Sequence, residues 1–153
     1  MNEKIKQIFI LFYMKLKRIP NPIINAQKYR FRGYSIGENT YIYSTCFLDK
    51  TKKAQITIGK NCVLTGCTLL AHDSSLHAFG EPTFFAPITI KDNCFVGWHA
   101  IILPGVTIHE NCVIGAGAVV SKDIPPNSVV AGNPARIIKT VSELIEKRRQ
   151  TSL

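Results

Sequence analysis

From Ile90 to Val120 every sixth residue is a branched aliphatic: Ile90, Val96, Ile102, Ile108, Ile114 and Val120. Four residues beyond each stands a small or aliphatic one: Cys94, Ala100, Val106, Cys112, Ala118 and Ile124. A period of six matches neither the 3.6 of a helix nor the simple alternation of a strand. It fits a solenoid whose flat faces are each one hexapeptide long, a short strand followed by a turn. Three faces close a triangular coil, so a phrase should recur after every third hexapeptide, as Ile90-Lys-Asp-Asn93 does at Ile108-His-Glu-Asn111. Stacked coils pair as parallel strands about 4.8 Å apart. The first-position aliphatic points inward onto its counterpart in the next coil, and the fifth position stays small to fit inside the prism. Asn at the fourth position suits the corner, because Asn tolerates positive φ better than most residues.

The same phrase occurs earlier as Ile36-Gly-Glu-Asn39 and Ile58-Gly-Lys-Asn61. Those starts lie further apart than three hexapeptides, so one coil carries a short insertion, held in the polar stretch 49–55 (DKTKKAQ). The step from Ile58 to Ile90 exceeds one coil by much more, and the pattern fails over residues 72–87. A long excursion is expected there, and long loops in a solenoid project from one face and usually carry function. The predicted fold is an all-β solenoid, a parallel β-helix of about five triangular coils with an extruded loop and short terminal helices. At 153 residues it forms one domain. Its parts are an N-terminal helix and linker over 1–32, the β-helix over 33–139, and a basic helix over 140–153.

The ends of a short solenoid need covers. Residues 2–18 are apolar in the middle (IFILFYM) and basic at the end, too short to span a membrane. They are expected to form a helix packed on the first coil or on a neighbouring subunit. A peripheral membrane-surface helix is the alternative. The segment lacks a signal-peptide cleavage site. Thr140-Val-Ser-Glu143 reads as a capping box opening the C-terminal helix. Cys46, Cys62, Cys94 and Cys112 fall on the small inward position and read as core fillers, whereas Cys67 falls off that register. No pair has zinc spacing, so no metal is expected. Reduced buried thiols suit the cytoplasm, at the inner face of the membrane if the N-terminal helix lies on lipid. The net charge of +9 favours anionic cofactors, nucleotide-linked substrates or a lipid surface. No binding motif or aromatic platform points to nucleic acid.

The segment 88–139, with its elements ILPGVTI and GAGAVVSKDIPPNSVVAGNPARII, resembles the hexapeptide-repeat, or left-handed β-helix, acyltransferases. The branch it looks most like holds the galactoside and maltose O-acetyltransferases and the sugar acetyltransferases of capsule and exopolysaccharide synthesis. The resemblance covers about residues 33–139. It implies a left-handed coil, which the period alone does not decide. It also implies a homotrimer with acetyl-CoA as cosubstrate in the groove between two subunits, and active sites shared at the subunit interfaces.

Acetyl transfer to a hydroxyl needs a base for the acceptor and donors for the developing oxyanion. Histidine suits the base, since its unperturbed pKa lies near neutrality. His72 stands where the regular coil gives way to the long loop, the place at which the resemblance puts the catalytic histidine. Asp73 is the candidate to orient it, although adjacent residues often face apart. His77 is the runner-up in the same loop, and His109 reads as a solvated surface residue. Trp98 and Ala116 stand three hexapeptides apart and share one corner of successive coils, with Gly97, Gly115 and Gly117 thinning that edge. The resemblance implies that the amides of Trp98 and Ala116 hold the pantetheine arm. It places Ser121 and Lys122 beside the cofactor, and Arg136 and Lys139 near its phosphates. His99, Asp49 and Glu81 are the candidates to touch a sugar acceptor. Tyr43, Phe84 and Phe85 are weaker ones. The reading is therefore an acetyl-CoA-dependent sugar O-acetyltransferase working by direct transfer. Alternatives are an amino-sugar N-acetyltransferase, a serine acetyltransferase-like enzyme, a gamma-class carbonic anhydrase-like metalloprotein using His72, His77 and His99, or a β-helix scaffold without catalysis.

Overall fold

A computed structural model describes residues 22–51 and 55–151. The helix expected over residues 2–18 lies outside them. The chain begins with α1 (Pro22–Phe31) and then winds through short parallel strands. The first coil holds β1 (Ser35–Ile36), β2 (Tyr41–Ile42) and β3 (Phe47–Leu48). The second holds β4 (Ile56–Ile58), β5 (Val63–Leu64) and β6 (Thr68–Leu69). An excursion follows, with β7 (His72–Asp73), a 3-10 turn (His77–Phe79) and β8 (Phe84–Phe85). The third coil is β9 (Ile88–Ile90), β10 (Phe95–Val96) and β11 (Ile101–Ile102). The fourth is β12 (Thr107–Ile108), β13 (Val113–Ile114) and β14 (Val119–Val120). A partial fifth coil starts at Ile124, which bridges to Ile108, and continues into β15 (Ser128–Ala131). There the winding stops: β16 (Arg136–Thr140) turns back antiparallel to β15, and α2 (Val141–Thr151) follows.

The strands form three faces: β1-β4-β9-β12, β2-β5-β10-β13-β15 and β3-β6-β11-β14. Register keeps the aliphatic columns continuous. Ile36 pairs with Ile58, Ile58 with Ile90, and Ile90 with Ile108. Ile42, Leu64, Val96, Ile114 and Val130 stack on the second face, and Leu48, Leu69, Ile102 and Val120 on the third. Nearly all of these side chains are fully buried, so the core is a narrow prism of branched aliphatics. The outward positions differ between faces. The first face shows Ser35, Thr57, Thr89 and Thr107, and the second shows Tyr41, Val63, Phe95 and Val113.

The corner between the first and second faces carries the asparagines. Asn39, Asn61, Asn93, Asn111 and Asn127 all have φ between 54° and 60°. Their side-chain amides form a ladder: Asn61 donates to Asn93 (3.1 Å), Asn93 to Asn111 (3.0 Å) and Asn111 to Asn127 (3.0 Å). One residue type thus satisfies both the turn geometry and the contact between coils.

Cys67 corrects the reading from register. It is fully buried and stands in the column of Cys46, Ala100 and Ala118. The second coil is one residue short at this corner: Thr65-Gly66 does the work of Gly97-Trp98-His99, so the count of six slips while the column does not. Gly66 makes the short corner with φ +64°, and a Cβ there would come within 2.6 Å of the Trp98 ring. The glycine therefore also makes room for that indole.

α1 covers the open end of the first coil. Ala26 is buried, the Tyr29 hydroxyl donates to the Cys46 carbonyl (3.2 Å), and Arg30 Nε donates to the Ile36 carbonyl (2.9 Å). At the other end the capping box forms as expected: the Glu143 amide donates to Thr140 Oγ1 (3.2 Å) and the Thr140 amide to Glu143 Oε2 (2.6 Å).

Candidate active site

β3 and β6 are neighbours on the third face, with Leu48 opposite Leu69. Beyond them both coils leave the regular path, one after Leu48 and the other through residues 70–87. Asp49 and His72 belong to these two departures. The Asp49 amide donates to the Leu69 carbonyl (3.0 Å), which keeps the residue on the prism. Its buried carboxylate accepts the Ala71 amide (3.0 Å) and contacts His72 Nδ1 through the same oxygen, Oδ2. The Tyr34 hydroxyl donates to the Asp49 carbonyl (2.7 Å). His72 sits on β7, paired opposite Phe85 of β8, with its ring 6.1 Å from the Phe85 ring. Its side chain remains 40% exposed. A buried carboxylate on Nδ1 selects the tautomer that carries a proton there and leaves Nε2 free to accept one.

The partner of His72 is therefore Asp49 and not Asp73. Neighbours on a strand point to opposite sides, and Asp73 is turned to Ser75. The Ser75 amide (2.7 Å), then its hydroxyl, holds the Asp73 carboxyl below the usual carboxylate range. Asp49, expected at the acceptor, occupies the position expected of Asp73. The signal for this was present: Asp49 directly follows a third-face aliphatic, one coil below the start of the His72 loop.

Glu81 is exposed in the excursion, where its amide donates to the Leu76 carbonyl (3.3 Å). His77 opens the 3-10 turn. Ser74 and Thr83 hydroxyls meet at 3.0 Å across the hairpin. Phe79 and Phe84 are largely exposed.

Trp98 and Ala116 lie on a different corner, between the second and third faces. Alternate amides there join the coils: Gly97 donates to Ile114 (2.8 Å), His99 to Gly66 (3.0 Å) and Gly117 to Trp98 (2.8 Å). The amides of Trp98 and Ala116 donate to no described group. His99 stacks edge-on to Trp98 at 5.4 Å. A Cβ on Gly97 would lie 2.6 Å from the Ala116 nitrogen, so this edge is thin by necessity. Gly115 faces Ala131, which pairs with Arg136, while Lys139 pairs with Val129. Ser121 and Lys122 follow β14, on the corner shared with Asp49 but three coils away. One chain thus joins His72 to Asp49, and Trp98 to Ala116 and His99, but holds the two groups on separate corners. Among the described residues no cluster of three or more His, Cys, Asp or Glu could hold a metal ion, and no helix is long and apolar enough to cross a membrane.

Residues 87–122 match the family model of the hexapeptide repeat of succinyl-transferase. A putative acetyltransferase of Bacillus subtilis is 30% identical over 135 residues, covering 86% of this chain and 76% of that protein. This chain belongs to the hexapeptide-repeat acetyltransferases. The galactoside O-acetyltransferase of Escherichia coli is 38% identical, over 72% of this chain and 58% of its own length. A tetrahydropyridine-dicarboxylate N-acetyltransferase of Staphylococcus carnosus is 53% identical over 70 residues, 46% of this chain and 29% of that one. The chain spans between about a third and three fifths of the first curated relatives it matches. A hexapeptide-repeat acetyltransferase of Vibrio cholerae, solved with acetyl-coenzyme A, aligns with a TM-score of 0.55 and 25% identity, covering 76% of this chain and 77% of that one. The fold is the left-handed β-helix of these proteins.

Proposed function

We propose that this chain transfers the acetyl group of acetyl-CoA to a sugar hydroxyl, in the synthesis of a surface polysaccharide, through the β-helix over residues 33–139. The observation that carries the reading is the buried Asp49 carboxylate on Nδ1 of a half-exposed His72. In this mechanism His72 Nε2 removes the proton from the acceptor hydroxyl, and Asp49 stabilises the imidazolium that forms. The alkoxide attacks the thioester carbonyl. The tetrahedral intermediate expels the coenzyme A thiolate, which takes the proton back from His72. Backbone amides hold the oxyanion. The transfer needs no acyl-enzyme, since all five cysteines are buried.

The unpaired amides of Trp98 and Ala116 support a pantetheine arm laid along that thin edge. Ser121, Lys122, Arg136 and Lys139 supply the hydroxyl and cations that its phosphates require. Because the two groups occupy separate corners, the site needs a corner from a second copy. The outward apolar positions Tyr41 and Phe95 support packing of copies as a homotrimer. His99 and Glu81 would then border the acceptor. Transfer to an amine is the second reading, favoured by the similarity to the N-acetyltransferase of Staphylococcus carnosus; the same base and carboxylate would serve it.

The test is thiol release from acetyl-CoA by the purified full chain across a panel of sugars and amino sugars, with thermal shift alongside. Acetyl-CoA at 100 times its dissociation constant should add about 2.7 kcal/mol of stability. Release only with amino sugars selects the second reading. No stabilisation and no release with any acceptor would overturn both.

A further inference from the structure

We infer that the cavity at the C-terminal end of α1 binds a phosphate group of the acceptor, which makes the acceptor a phosphorylated sugar; this rests on the acetyl-transfer reading above. The cavity measures about 400 Å³, within the range of small-molecule sites. Arg32, Tyr34, Lys50, Thr51 and Gln55 contribute to its wall, and among the described residues no carboxylate lines it. Neither Arg32 nor Lys50 has an ion pair with a described carboxylate. The acid nearest in sequence, Asp49, has its carboxylate turned to His72 and the Ala71 amide instead. Two cations therefore face one cavity without an anion among the described residues to balance them, beside the side-chain amide of Gln55, which can donate hydrogen bonds.

That set of donors suits a phosphate. The planar guanidinium fork of Arg matches two phosphate oxygens, and the Lys ammonium adds a point charge. Both side chains are exposed and hydrated in the free protein, and a phosphate offers them the charge partner that a neutral sugar lacks. The fold ties this cavity to the acid–base pair. Tyr34 lines it and donates to the Asp49 carbonyl (2.7 Å), and Lys50 is the next residue after Asp49. Asp49 in turn holds His72. The turn that ends α1 gives Arg32 and Tyr34 their places, with Gly33 at φ +90° between them. A phosphate anchored here would hold its sugar next to the residue that orients the base, and binding energy from that remote anchor would position the reacting hydroxyl.

The experiment titrates inorganic pyrophosphate into the full chain with its coenzyme A site already filled, at about 0.1 M salt to screen diffuse surface attraction. Pyrophosphate should bind the unaltered protein and bind at least tenfold more weakly to the Arg32→Gln, Lys50→Gln double variant. Lys60→Gln, which removes an exposed charge elsewhere, should change it less than twofold. Coenzyme A affinity and the melting temperature check that the double variant folds. Should it not, Lys50→Gln alone, at an exposed side chain, should still weaken binding several-fold. Equal binding by these variants and the unaltered protein, or no binding at all, overturns the proposal. Tighter binding of uridine diphosphate than of pyrophosphate supports it with a nucleotide as the carrier. Retention on phosphatidic acid vesicles that the double variant loses supports it with a lipid as the carrier. If coenzyme A fails to bind while pyrophosphate still depends on Arg32 and Lys50, the acetyl-transfer reading falls and the anion site stands.

Discussion

The third and fourth coils and the first two are built on the same columns, yet they treat one corner differently. Past β11 the chain turns through Leu103-Pro104-Gly105 straight into the next coil, and past β14 it turns through Ser121-Lys122-Asp123. Both turns are short, and the Asp123 carboxylate accepts the Thr107 amide at 2.7 Å. The same corner opens after Leu48 at the end of β3, and past β6 into residues 70–87. The regular half buries its columns and supplies a rigid rod. The irregular half places a buried carboxylate against a half-exposed imidazole. In a solenoid the repeat supplies the scaffold, and chemistry gathers where the repeat is broken, because only there can polar side chains leave the prism without emptying its core.

The largest effect should separate the two carboxylates of the irregular half. His72→Ala is expected to lower turnover by about 10² to 10⁴-fold with acetyl-CoA affinity unchanged. Asp49→Asn should lose roughly 10²-fold or more, since the wrong tautomer is then favoured. Asp73→Asn should stay within about twofold. Steady-state kinetics with calorimetric binding checks all three; a larger loss at Asp73 than at Asp49 would break the assignment.

The next contrast is in stability. Ile102→Ala, in a filled column of the regular half, should cost about 2–5 kcal/mol. Phe84→Ala, on the exposed excursion, should fall within about 0.5 kcal/mol. Urea midpoints at constant slope decide between them. A comparable loss at Phe84 in the isolated chain would mean that the excursion is part of the core.

The smallest effect lies at the end of the rod. The Thr140 amide, then the Thr140 hydroxyl, holds Glu143 below the usual carboxylate range. Its folded pKa is depressed, so the cap contributes fully above the unfolded value of about 4.3 and is lost as pH falls through the folded value. Fraying of the first turn of α2 on acidification, followed by amide exchange, should be absent in Glu143→Gln. Unchanged fraying in that variant would detach the cap from the titration.

The hexapeptide columns were legible along the chain because a period of six survives only if every sixth side chain meets the same interior. The asparagine corners, the two departures and the capping box were legible for the same reason: each is a local pattern with a local cause. Cys67 was misplaced because register was counted by residue number, and a corner shortened by one residue keeps its column in space but not in sequence. The His72 position was legible as the place where the pattern fails, but its partner was not. Asp49 is 23 positions away in the chain, and only the stacking of one coil on the next brings the two together, whereas the adjacent Asp73 is turned aside by strand geometry. The cationic cavity beside Asp49 is likewise invisible in order of residues: Arg32 ends a helix and Lys50 begins an insertion, and they meet only because α1 packs on the first coil. Periodicity along the chain determined the rod and where it breaks. Which charged groups face one another across the breaks was decided by the stacking of coils, since that is what brings distant residues within hydrogen-bonding reach.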